Sequence, residues 1–75
     1  MEFNEFLINL ADQFDDTELS ELNAETFFKD LEEWSSLTAM TIIAMAKTKY
    51  NKSITGREIR NCETIQDLFD LIKGK

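Results

Sequence analysis

Between Glu2 and Phe14 the apolar residues Phe3, Phe6, Leu7, Leu10 and Phe14 recur at i, i+3, i+4, i+7 and i+11, with Asn4, Glu5, Asn9 and Asp12 opposite them. That spacing predicts an amphipathic helix. Glu2 and Glu5 suit its positive end, and Asp15-Asp16-Thr17 closes the pattern. From 15 to 35 the apolar residues Leu19, Leu22, Phe27, Phe28 and Leu31 are spaced irregularly among acids, as in a long connection pinned to the core at several points. Connections of this length are more often functional than decorative, and a short helical turn is expected near 17–22.

Ser35 to Tyr50 has neither glycine nor proline, and Ala39, Ile42, Ile43, Ala46 and Tyr50 trace a stripe expected to face the core. Leu37, Met40 and Ala44 form a second apolar set on a neighbouring face, so this helix should be central. A serine at its start is placed to cap a free amide, and Lys47 and Lys49 suit its negative end. After Ile54-Thr55-Gly56, a short helix is expected over 57–61, where Ile59 is the one clear apolar residue. Thr64-x-x-Asp67 is a capping box ahead of Ile65, Leu68, Phe69 and Ile72, again at helical spacing. The reading is an all-α four-helix bundle with a long first loop and a short third helix, one domain over residues 1–75.

Composition narrows the function. A chain of 75 residues has core enough for a bundle and little to spare for an enclosed reaction chamber, which argues against an enzyme. With no histidine there is no imidazole-based triad, proton shuttle or ordinary zinc site. Cys62, alone, cannot form an internal disulfide and reads as a small buried hydrophobe in a cytoplasmic protein. No metal is expected: Asp15, Asp16, Glu18 and Glu21 lack the glycine-centred calcium-loop pattern. No leader pattern or membrane-length apolar run is seen, so neither export nor membrane insertion is expected. A net charge of -7 makes nucleic acid a poor partner. Charge is also segregated, residues 1–33 carrying -10 and residues 34–75 carrying +3. This is either a solvated acidic face or a means of steering towards a basic protein.

What remains is Trp34-Ser35-Ser36-Leu37, where the long loop meets the central helix. On those four residues alone the simpler account is a pair of capping hydroxyls. A serine at a helix N-terminus is also exposed and rigidly carried, and the helix end would stabilise a phosphodiester built on it.

Over nearly its whole length the chain resembles the acyl carrier protein family, whose members bear a 4'-phosphopantetheine arm on the serine of an Asp-Ser-Leu motif opening the second of four helices. Phe28 and Asp30-Leu31 resemble the approach to that motif, Ser36-Leu37 its core, and Ile42-Ile43, Ala46 and Tyr50 the buried side of the helix after it. Ile54, the 57–61 stretch and Thr64-Ile65-Gln66-Asp67-Leu68 follow in the family's order.

The resemblance implies that Ser36 accepts 4'-phosphopantetheine from coenzyme A through a separate phosphopantetheinyl transferase. The arm's thiol would then present acyl or aminoacyl thioesters to loading and synthase enzymes of fatty acid, polyketide or peptide type. The protein would be a cytoplasmic monomer that catalyses nothing itself. Leu37, Met40 and Thr41 fall on the family's docking face, with Trp34 and the acids Asp30, Glu32 and Glu33 beside it. Two departures stand out: Ser35 replaces the motif's aspartate, making it a minor alternative acceptor, and the second helix lacks the usual exposed acids, offering Thr38, Thr41, Lys47, Thr48 and Lys49. The alternative is an unmodified helical adaptor that binds a basic protein through its acidic first half.

Overall fold

The computed structural model describes all residues, 1–75. Four helices follow one another, α1 (Phe3–Ala11), α2 (Ser36–Tyr50), α3 (Gly56–Arg60) and α4 (Ile65–Lys73), and the chain is all-α. Two 3-10 turns, Leu19–Glu21 and Phe28–Asp30, punctuate the loop between α1 and α2. No helix is long and apolar enough to cross a membrane.

Fifteen buried residues form one hydrophobic cluster to which every helix and the long loop contribute. Among its fully covered side chains are Phe6, Leu10, Phe28, Ile42, Ile59, Ile65, Leu68 and Ile72. Each contributes about 1.5–3 kcal/mol relative to exposure. Phe69 of α4 meets Phe3 and Phe6 of α1 edge-on, at 5.1 and 5.4 Å between ring centres. Asn9 Nδ2 donates to the Tyr50 hydroxyl at 2.8 Å, tying α1 to the far end of α2.

Several expectations need correction. α1 stops at Ala11 rather than reaching Phe14; tighter i→i−3 bonds from Gln13 and Phe14 finish it. Asp12, Asp15 and Asp16 crowd what would be the negative end of a longer helix, which disfavours its extension. Phe14 still reaches the core from this turn. Of the loop's supposed pins, Leu22 and Phe28 are buried and Leu31 partly so, whereas Leu19 and Phe27 are exposed. Phe27 lies in extended backbone and makes an isolated antiparallel bridge with Thr64, and the chain then bends into the second 3-10 turn, whose first residue Phe28 is fully covered by the core.

The buried face of α2 is rotated from the expected stripe. Thr38, Ile42, Met45 and Ala46 are buried, while Ala39, Ile43 and Tyr50 lie half-buried at its edges. The helix is apolar around most of its circumference, so periodicity alone does not fix which side faces inward. α3 begins one residue earlier than expected, at Gly56, with Ile59 in the core.

The ends of the elements hold the loop in place. α2 closes on Asn51, which takes the left-handed conformation at φ 55°, while the Lys52 amide donates to the Ala46 carbonyl. The first amides of α4, on Ile65 and Gln66, donate to the carbonyls of Thr26 and Ala24 at 3.0 and 2.9 Å. The long loop thus supplies acceptors that the start of α4 lacks within itself.

Candidate functional site

The approach to α2 is fixed from below. Trp34 packs edge-on against fully buried Phe28, with 5.1 Å between ring centres, and its amide closes a turn onto the Leu31 carbonyl. The backbone entering the helix is therefore anchored one residue before the serine pair.

The two serines occupy different positions. Ser35 is the N-cap, extended at φ -160° and ψ 175°, and its Oγ accepts the Thr38 amide at 3.3 Å. Thr38, buried, donates its own hydroxyl to the Glu33 carbonyl at 2.9 Å, and its Oγ1 lies 3.3 Å from Ser35 Oγ. Ser35 is thereby woven into the cap. Ser36, the first residue of α2, is exposed, and its hydroxyl makes no hydrogen bond within the chain. The amides of Ser36 and Leu37 likewise have no acceptor in the chain, leaving two donors at the positive end of a fifteen-residue helix beside a free hydroxyl. That donor pair suits the charge of a phosphodiester on Ser36.

Leu37 and Met40 are 70% and 65% exposed, the most open large apolar side chains in the molecule. Thr41 is half-buried and donates its hydroxyl to the Thr38 carbonyl at 2.8 Å. Asp30 and Glu32 are exposed, and with Glu33, Asp16 and Glu21 they line an acidic hollow on the loop side. The Glu33 carboxylate also accepts the Asp16 amide, joining the two ends of the loop. No group of three or more cysteine, aspartate or glutamate side chains converges as a metal-holding set.

Opposite polarities flank the N-terminal half of α2. One shallow groove joins Leu37, Thr38 and Thr41 to Asp15, Asp16 and Glu33. On the other side a groove of about 320 Å³ joins Ser36, Met40 and Ile43 to Ile59, Lys29 and Arg60. The last three residues were not legible as neighbours of Ser36. Lys29 arrives on the loop and is held there by donating to the Arg60 carbonyl at 2.7 Å, a contact between residues 31 apart.

Cys62, buried at the end of α3, points its thiol at the Glu58 carbonyl at 3.4 Å. Burial raises its pKa above the ordinary thiol value, with the Asp67 carboxylate adding to the effect, so its nucleophilic form is suppressed.

No protein-family model matches the chain, and no solved structure matches it closely. Two curated relatives do. The acyl carrier protein of Myxococcus xanthus is 34% identical over 55 residues, covering 73% of this chain and 70% of the relative. The acyl carrier protein of Micrococcus luteus is likewise 34% identical over 55 residues, covering 73% of this chain and 68% of its own length. With an all-α bundle and likeness to two proteins of one kind over most of its length, the chain belongs to the acyl carrier protein family, a family of carriers and not of catalysts.

Proposed function

We propose that this chain becomes an active carrier when 4'-phosphopantetheine is attached to Ser36, and that it presents acyl or aminoacyl groups to biosynthetic enzymes of fatty acid, polyketide or peptide type. The observation that carries the reading is the division of labour between adjacent serines: Ser35 is committed to the helix cap, and Ser36 offers an exposed hydroxyl with no partner in the chain. In the attachment, Ser36 Oγ forms a bond to the pantetheine-side phosphorus of coenzyme A as the bond from that phosphorus to 3',5'-ADP breaks. The serine proton passes to a base of the phosphopantetheinyl transferase, and the α2 donors face the resulting phosphodiester. When bound, the arm supplies a thiol that holds cargo as a thioester.

Partners are proposed to dock on Leu37 and Met40, whose exposure supports a shallow apolar socket on each enzyme, with Thr41 at its edge. Asp30, Glu32 and Glu33 would face basic residues of the partner, and Trp34 would act by holding the loop end against Phe28. We place the carrier in the cytoplasm as a single-domain monomer.

The test is mass measurement after incubation with coenzyme A and a broad-specificity transferase. Wild type is expected to gain one phosphopantetheinyl group, Ser36→Ala none, and Ser35→Ala as much as wild type. An unmodified wild type would favour the adaptor reading.

A further inference from the structure

The groove between the start of α2 and α3 has a composition at odds with the rest of the surface. The chain carries fifteen acids against eight bases, yet no carboxylate lines this groove, and two cations do. Arg60 makes no ion pair; the one such pair in the molecule joins Glu58 to Lys75. Its guanidinium lies back along α3, with Nη1 3.9 Å from where a side chain on Gly56 would begin. Lys29 spends one of its three donors on the Arg60 carbonyl and keeps two. Met40, Ile43 and Ile59 give these cations an apolar floor, which strengthens their attraction for a negative group laid over it.

Ser36 shares this groove, so a chain tethered there can fold back into it. A phosphodiester at Ser36 already has the free α2 amides, and it has no need of an apolar floor. A volume of about 320 Å³ corresponds to roughly ten waters of liquid, enough for a short acyl group. Resting on the attachment at Ser36, we propose that the groove selects cargo with a free carboxylate at its far end, the acyl groups of short dicarboxylic acids, held by Arg60 and Lys29 over Met40, Ile43 and Ile59.

The experiment loads wild type with coenzyme A, butyryl-coenzyme A or succinyl-coenzyme A, checks each product by mass, and compares proton–nitrogen spectra at the Gly56, Ile59 and Met40 amides. Butyryl and succinyl share four carbons and differ in a terminal methyl or carboxylate. Only the succinyl form is expected to shift these amides. The shift should shrink by at least half in Arg60→Gln and in Lys29→Gln, and persist in Arg57→Gln, a charge change on the same helix outside the groove. Identical butyryl and succinyl spectra, or a succinyl shift indifferent to Arg60→Gln, would overturn the proposal. So would the same shift in the cargo-free form, since the phosphodiester would then be the occupant. No mass gain with any donor would instead remove the attachment, and this inference with it.

Discussion

At the scale of single residues, the Ser35-Ser36 pair shows how one hydroxyl becomes structural and its neighbour stays available. The N-cap assignment makes Ser35→Ala a stability change, costing about 1 kcal/mol and lowering Tm by several degrees in thermal melts, with modification at Ser36 unimpaired. Ser35→Asp, which restores the residue of the family motif, should cap at least as well and add favourable charge at the helix start, so Tm should not fall. The two methionines of α2 should respond oppositely. Met45→Ala empties a buried site and should cost about 2–5 kcal/mol by denaturant unfolding, whereas Met40→Ala should stay within about 0.5 kcal/mol and weaken partner binding instead. The resemblance placed Leu37 and Met40 on an outward face, as the structure has them, but the periodicity of the helix did not separate them from Met45. Leu37, Met40 and Met45 all sit on a helix with apolar residues on most sides, and only the placement of its neighbours decides which are covered. Cys62 was the easier case, a lone thiol without histidine that the fold buries.

At the scale of elements, the last two helices start on the same device. Thr55 and Thr64 accept the amides three residues on, and the carboxylates of Glu58 and Asp67 accept amides in return. Asp67 is held below its ordinary pKa by the Glu63 and Thr64 amides, and Glu58 chiefly by Lys75 and then by the Thr55 amide. Both folded-state values lie below those of the unfolded chain. The unfolded chain therefore binds more protons in acid, and this stabilisation is present above the ordinary carboxylate range and lost as pH falls through it. Thermal melts should show Tm dropping below about pH 4.5, and the slope should flatten in the Asp67→Asn, Glu58→Gln double variant. The Thr64 box was read from sequence; the equivalent Thr55-x-x-Glu58 was equally visible and would have placed the start of α3. The bonds from Ile65 and Gln66 to the loop could not be read, because main-chain pairing between distant segments leaves no side-chain signature.

At the scale of the molecule, the charge imbalance along the chain becomes two unlike flanks of one helix. The acidic loop side should govern encounter with basic enzymes. Transferase binding is expected to weaken as salt rises, and Asp30→Asn, Glu32→Gln and Glu33→Gln together should lower affinity and flatten that salt dependence; affinity constant from low to 0.5 M salt would contradict this. The bundle and its order of helices were legible because three amphipathic periods and a long irregular gap leave few alternatives. The pairing of Lys29 with α3 was not, being a contact made by the loop's path.

That path has a further consequence. Because Ala24 and Thr26 supply acceptors to the start of α4, the crossover cannot lift away without breaking two main-chain hydrogen bonds at the root of the C-terminal helix. The segment 24–28 and the first turn of α4 should therefore open as one cooperative unit, their deuterium uptake rising together under mild denaturant. A protease that nicks the crossover would loosen the tail of the chain, about forty residues downstream of the cut.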